Sequence, residues 1–202
     1  MRYVALGDSY TIGTSVGKAE RWPNQLVAGL GARVPPTAVE LVANLGVNGF
    51  TSADVIRTEL PALPGLRPEV VSLLVGVNDV IRGVSAGAYE ANVGRILEAA
   101  IELVGAGRTF GLTTPDYTVT PAGADYGNPI AVAARIREFN AVFTAAAEAH
   151  HVAVVDIHDL SLRAAADRSL VARDGLHPSG AQYALWVERI APLVEAMARL
   201  PG

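Results

Sequence analysis

The sequence contains no cysteine and one lysine, Lys18, among its 202 residues. The lack of cysteine excludes disulfide bonds, thiolate metal sites and a cysteine nucleophile. The single lysine leaves one candidate for a serine–lysine mechanism. The formal net charge is −4, and no Lys/Arg-rich run provides the basic patch typical of nucleic-acid-binding proteins. We therefore expect no nucleic-acid partner.

Long hydrophobic runs are also missing, although half of the residues are hydrophobic. No uninterrupted apolar run approaches the roughly 20 residues that a membrane span needs, so we expect no integral membrane association. The first residues enter a strand pattern without the apolar region and cleavage site of a signal peptide, which favours a cytoplasmic location. Secretion is the alternative location if a preceding signal peptide has been removed. Neither Gly-x-Gly-x-x-Gly nor a Walker-type motif supports nucleotide binding.

Strand-like and helix-like patterns alternate along the chain. The strand patterns are 3–6, 39–43, 70–75, 109–113 and 152–155, and the helix patterns are 22–34, 52–60, 88–104, 130–150 and 179–200. The first strand pattern, Tyr3 to Leu6, is apolar without alternation, which is typical of a parallel sheet covered on both faces by helices. The sequence therefore predicts one three-layer α/β/α domain over residues 1–202. Pro61, Pro64 and Pro68 predict an extended connector before the third strand.

Polar residues follow several of these strands. Ser9 comes just after the first strand, Gly49 follows the second, and Asn78 follows the third. Asp174 and His177 lie in the loop before the last helix. Because the carboxyl ends of parallel strands meet at one edge of a sheet, we expect these residues to converge there. A serine needs a base, an acid that orients the base, and oxyanion donors to act as a nucleophile.

Other interpretations of the polar residues stay open. Ser15 lies in a Gly-x-Ser-x-Gly pattern, Gly13 to Gly17, but it lacks the strand that immediately precedes a nucleophile elbow. Asp156, His158 and Asp159 are potential metal ligands at a strand end, yet no helical His-x-x-x-His accompanies them, so we expect helix caps and no metal.

Four sequence blocks together resemble the SGNH (GDSL-type) hydrolases. The blocks are Gly7-Asp8-Ser9-Tyr10, Asn44 to Thr51, Gly76-Val77-Asn78-Asp79 and Asp174 to Pro178. They occur in the family's order and span nearly the whole chain. In the second block Gly49 is the expected equivalent of the family's glycine, and Gly46 is the alternative. The resemblance implies a flavodoxin-like fold with a five-stranded parallel sheet, in agreement with the strand and helix patterns.

The resemblance also implies the roles of individual residues and no cofactor. Ser9 would attack an acyl carbonyl, His177 would accept its proton, and Asp174 would hold the tautomer of the imidazole. The backbone N–H groups of Ser9 and Gly49 and the side-chain amide of Asn78 would bind the oxyanion.

The substrate is less constrained than the chemistry. Candidate pocket residues are Tyr10, Phe50, Ile81, Tyr117 and Tyr126. The irregular stretch 114–129 is long enough to form a functional rim. We expect a small-molecule ester with a short acyl group as the partner. Lysophospholipids, acyl thioesters and a non-catalytic interaction domain remain alternatives, and the oligomeric state is left open.

Overall fold

The computed structural model describes residues 1–33 and 38–199. Within these residues, one sheet contains the strands β1 (Arg2–Gly7), β2 (Glu40–Asn44), β3 (Val70–Leu74), β4 (Thr109–Leu112) and β5 (Ala153–Val155). The strand order is β2-β1-β3-β4-β5, and neighbouring strands are parallel throughout. This order is the flavodoxin-like one, so the predicted fold class is confirmed.

Helices connect the strands and cover the sheet. They are α1 (Ser9–Ile12), α2 (Trp22–Gly31), α3 (Ser52–Asp54), α4 (Leu63–Leu66), α5 (Val77–Ile81), α6 (Ala86–Val104), α7 (Pro129–Ala149), α8 (His158–Leu162) and α9 (Gly180–Ala198). Helix α2 packs against α9, and α6 packs against α7. In the described residues no helix is both long and apolar enough to cross a membrane.

The two helical layers lie on opposite faces of the sheet, as two neighbouring residues of β4 show. The ring of Phe110 stacks on Tyr3 of β1, which in turn contacts Trp22 of α2. The next residue, Gly111, faces Phe143 of α7. Successive residues of a strand point to opposite faces, so α2 and α7 cover different sides. Both layers are buried against the sheet and form one core.

The connection between β2 and β3 differs from the prediction. Residues 52–66 are helical almost throughout: α3 continues into a π-helical turn, Val55–Glu59, then into a 3-10 turn and α4. The predicted extended connector is therefore wrong at Pro61 and Pro64, because each proline occupies the first turn of a new helical segment, where its missing N–H is not needed. The predicted helix ends near residues 34–36 and 200 lie outside the described residues.

Candidate active site

Strand β1 delivers Ser9 to the carboxyl edge of the sheet through a sharp turn. Gly7 has φ +147°, and a Cβ atom there would lie 2.1 Å from the carbonyl oxygen of Leu74. A glycine is therefore required where the end of β1 approaches the backbone of β3 so closely. Asp8 caps α1, since its Oδ1 accepts the N–H of Tyr10 at 2.9 Å. Ser9 is the first residue of the helix, and its hydroxyl faces the loop before α9.

A continuous hydrogen-bonded relay joins Ser9, His177 and Asp174. Ser9 Oγ lies 2.9 Å from His177 Nε2, and His177 Nδ1 lies 2.7 Å from Asp174 Oδ2. Asp174 Oδ1 accepts the backbone N–H groups of Leu176 and His177 at 2.9 and 3.0 Å. The side chain of His177 is only 12% exposed, so protein surrounds the imidazole on most sides. This is the geometry of a nucleophile, a base and an orienting acid.

The carboxyl of Asp174 is held in its charged form. Partial burial acts to raise its pKa, but hydrogen bonds from Ser15, from the Leu176 N–H and from His177 outweigh burial and bring the pKa well below its usual range. The Ser15 hydroxyl donates to Oδ2 at 2.6 Å. The structure thus places Ser15 against the carboxylate, whereas the hydroxyl of Ser9 contacts the imidazole.

Asn78 and Gly49 lie at the same edge of the sheet as Ser9. The side-chain amide of Asn78 donates one hydrogen to the carbonyl of Phe50 at 2.9 Å, which fixes the amide plane and leaves its second hydrogen available. Gly49 has φ +81°, a conformation that favours glycine, and its carbonyl accepts from Arg82 at 2.7 Å. In the part of the chain that the structure describes, the backbone N–H groups of Ser9 and Gly49 donate to no protein acceptor.

Gly46, the alternative glycine, has a different surrounding. Its N–H donates to the side chain of Asn44 at 3.1 Å, and a Cβ atom there would lie 2.8 Å from the carbonyl oxygen of Asp8. Its lack of a side chain therefore serves close packing under the Ser9 turn. Of the two glycines, Gly49 is the one beside the cavity that Ser9 lines.

A buried carboxyl group holds α5, which carries Asn78, against α3. Asp79 accepts both the N–H and the hydroxyl of Ser52, at 2.9 and 2.6 Å. Burial raises its pKa, and these hydrogen bonds act in the opposite direction. This contact fixes the position of α5 at Asp79, the residue next to Asn78.

Ser9 lies at the wall of a cavity of about 220 Å³. Its lining comprises Ser9, Tyr10, Asn48, Gly49, Val77, Asn78, Ile81, Tyr117, Tyr126, Leu176 and His177. The rings of Tyr117 and Tyr126 meet edge to face with centroids 5.9 Å apart, and the Tyr10 ring packs on the imidazole at 5.1 Å. The predicted stretch 114–129 therefore contributes two of the residues that line the cavity, Tyr117 and Tyr126.

The lining differs from the predicted pocket residues in two ways. Phe50 is absent from it; this residue contributes its carbonyl oxygen to the amide of Asn78 instead. Asn48, Val77 and Leu176 were not predicted, although each lies within one residue of a predicted site residue in the sequence. Sequence proximity to the motif residues was the signal available for them.

Two buried carboxyl groups lie beneath the turn that carries Ser9. Glu59, from the π-helical turn, accepts the N–H of Gly7 at 2.9 Å and is 2% exposed. Burial raises the pKa of Glu59 to about 9 and that of Asp8 to about 7. Repulsion from Asp8 adds to the shift of Glu59, and repulsion from Asp79 adds to the shift of Asp8. Within residues 1–33 and 38–199, one oxygen of each carboxyl is buried without a hydrogen-bond partner.

The other polar cluster, at the end of β5, forms caps and an ion pair. Asp156 Oδ1 accepts from the hydroxyl of Thr113 at 2.7 Å and from the N–H of His158 at 2.9 Å. Asp159 pairs with Arg189. No group of three or more potential metal ligands occurs in the described part of the chain. A groove of about 590 Å³ lies between α7 and β5 beside this cluster, and none of the relay residues lines it.

Known proteins share both the sequence pattern and the fold. The sequence pattern of the GDSL-like lipase/acylhydrolase family matches residues 5–185. No curated protein matches the chain. TesA has a similar structure, with a TM-score of 0.74 and 20% identity over 98% of this chain and 99% of TesA. A variant of Axe2, an acetyl xylan esterase from Geobacillus stearothermophilus, has a TM-score of 0.75 and 20% identity over 96% and 94%.

A third similar structure is LAE5, an alpha/beta hydrolase enzyme from the metagenome of Lake Arreo, Spain. Its TM-score is 0.73, and its identity is 24% over 98% of this chain and 94% of LAE5. Identities at this level support the fold, and the family assignment rests on the sequence match. Because that match covers most of the chain and includes the segments that carry Ser9, Asn78 and His177, the chain belongs to the GDSL-like lipase/acylhydrolase family of hydrolases.

Proposed function

We propose that the chain hydrolyses small carboxylic esters through an acyl-enzyme formed on Ser9. The observation that carries the proposal is the relay from Ser9 Oγ through His177 to Asp174, with distances of 2.9 and 2.7 Å, at the wall of a cavity. A serine hydroxyl becomes a strong nucleophile only where a base accepts its proton, and this relay supplies one.

The reaction follows from the positions of the donors and acceptors. His177 Nε2 accepts the proton of Ser9 as Oγ bonds to the acyl carbon, and the Nδ1–H donated to Asp174 fixes the tautomer. The protonated imidazole then gives its proton to the alcohol oxygen as the ester C–O bond breaks. A water molecule, deprotonated by His177, then attacks the acyl carbon. The bond between that carbon and Ser9 Oγ breaks, His177 returns the proton to Oγ, and the carboxylic acid is released.

The charge that develops on the carbonyl oxygen meets three donors. These are the N–H of Ser9, the N–H of Gly49 and the second amide hydrogen of Asn78, all at the cavity wall. The hydrogen bond from Asn78 to Phe50 keeps that amide in place before the substrate arrives. A preorganised donor of this kind typically contributes about 10²–10³ in rate.

The size and chemistry of the cavity favour a short acyl group. Its volume of about 220 Å³ is below the roughly 300–1,000 Å³ of pockets for drug-sized ligands. Val77, Ile81, Leu176 and the tyrosine rings make most of its wall apolar. The acetyl ester specificity in the name of Axe2 agrees with a small acyl substrate.

The test is a series of p-nitrophenyl esters from acetate to palmitate, with wild type, Ser9→Ala and Ser169→Ala in parallel. Ser169 is an exposed serine outside the cavity, so its variant controls for the loss of a hydroxyl. Turnover that peaks at short chains and disappears only in Ser9→Ala supports the proposal. A peak at long chains would redirect it to lysophospholipids or acyl thioesters, and no turnover by wild type would favour the interaction-domain alternative.

A further inference from the structure

We propose that Ser15 is a positioning residue for the relay. Its hydroxyl donates a hydrogen bond that fixes the orientation of the Asp174 carboxylate, and the carboxylate in turn holds the imidazole of His177 facing Ser9. The inference rests on the proposed function, because it assigns a role within the same site.

Four donors surround the carboxylate of Asp174. Oδ1 accepts the N–H groups of Leu176 and His177, which belong to the same tight loop. Oδ2 accepts from His177 Nδ1 at 2.7 Å and from the Ser15 hydroxyl at 2.6 Å. Ser15 supplies the one of these donors that comes from outside the loop, from a segment 159 residues away in the sequence. It therefore ties the loop after α1 to the loop before α9.

The backbone of Ser15 is held in a conformation that serine rarely adopts. Its φ is +66°, in the left-handed region that favours glycine. Residues held in such conformations cluster at functional sites, where the surrounding structure compensates for the strain. Here the neighbouring Thr14 anchors the loop through a hydrogen bond from its hydroxyl to Asn48. The conformation places the Ser15 hydroxyl on Asp174.

The Ser15 hydroxyl keeps water away from one position on the partly exposed Asp174 carboxylate. The side chain of Asp174 is 28% exposed, so without the hydroxyl water would take its place on Oδ2. Water satisfies the charge but does not fix the carboxylate plane, because it is free to exchange and to move. The imidazole would then lose part of its alignment with Ser9. Ser15 does not line the substrate cavity, so its loss is expected to lower kcat and leave KM unchanged.

The experiment uses Ser15→Gly, which removes the hydroxyl and suits the positive φ, so that the fold is retained. We expect kcat for a p-nitrophenyl ester to fall about three- to tenfold with KM unchanged, since a hydrogen bond to a charged group that water partly replaces is being lost. The same substitution in an Asp174→Ala background is expected to cause no further loss. Thr14→Val, which breaks a loop hydrogen bond without touching Asp174, is expected to have the same effect in both backgrounds.

Two outcomes would overturn the positioning role. One is an unchanged kcat in Ser15→Gly, and the other is an equal loss in the wild-type and Asp174→Ala backgrounds, which would indicate a purely structural effect of the loop. A separate readout covers the failure of the proposed function. The low-field proton NMR signal of the bond between His177 Nδ1 and Asp174 should shift or broaden in Ser15→Gly even if no ester is hydrolysed; an unchanged signal would contradict the inference on its own.

Discussion

Replacing Glu59 by glutamine should make the stability of the protein less dependent on pH. Glu59 is buried under the turn that carries Ser9, and its side chain accepts the N–H of Gly7. Glutamine keeps an oxygen for that hydrogen bond and removes the ionisable group. The comparison therefore reports the ionisation of Glu59 together with its repulsion from Asp8, because Asp8 and the other acids are present in both proteins.

The magnitude follows from the shift in pKa. Burial raises the pKa of Glu59 from 4.5 to about 9 in the folded state. A raised pKa means that the contribution to stability is fully present below the unfolded value and is lost as the pH rises towards the folded value. Within that window each pH unit lowers the free energy of unfolding by about 1.4 kcal/mol for one such group. Between pH 6 and pH 8 wild type should thus lose ~2–3 kcal/mol more than Glu59→Gln.

Thermal unfolding of both proteins, followed by circular dichroism at several pH values, measures this difference. At roughly 2–4 °C per kcal/mol for a domain of this size, the wild-type Tm should fall by about 5–10 °C more than that of the variant between pH 6 and pH 8. Urea unfolding at the same two pH values gives the free energy directly. Parallel pH profiles for the two proteins would refute the reasoning, because they would show that Glu59 is ionised in the folded state throughout.

The remaining predictions concern the relay and the proposed oxyanion donors. Ser9→Ala should lower kcat for an activated ester by about 10³-fold or more while the circular dichroism spectrum is retained, and substantial residual turnover would point to another nucleophile. Asn78→Ala should lower kcat by about 10²–10³-fold with little change in KM; a change confined to KM would make Asn78 a ground-state binding residue. Asp174→Asn should lower kcat by about 10³–10⁴-fold, since an amide can favour the wrong imidazole tautomer, and near-normal rates would mean that the carboxylate is dispensable.

Local patterns predicted the sheet because its three central strands, β1, β3 and β4, are buried. Strongly apolar segments such as 70–75, in which Ser72 is the one polar residue, have one reasonable interpretation when helical patterns separate them. The short helical turns between β2 and β3 were harder to predict. Prolines at 61 and 64 suit both an extended connector and the first turn of a helix, and tertiary packing decided between them.

Some residues of the candidate site were predictable from the sequence and others were not. Ser9, Asn78 and His177 were candidates because reactive side chains directly follow strands or precede the last helix, and the fold brings these positions together. The contacts of Glu59 with Gly7 and of Ser15 with Asp174 join residues 52 and 159 positions apart. Neither contact leaves a periodic trace in the sequence, because each depends on one side chain in an irregular turn.

The long sequence separation within the relay has a consequence for the synthesis of the protein. Ser9 and His177 are 168 residues apart, so the proposed nucleophile leaves the ribosome well before its proposed base. A nascent chain that ends before α9 has no helix to pack on α2 and no anchored loop to carry the imidazole. Ester hydrolysis would therefore begin only when the whole domain is assembled. Division of the chain at the exposed Gly105 would leave Ser9 on one fragment and His177 on the other, so we expect neither fragment alone to hydrolyse esters.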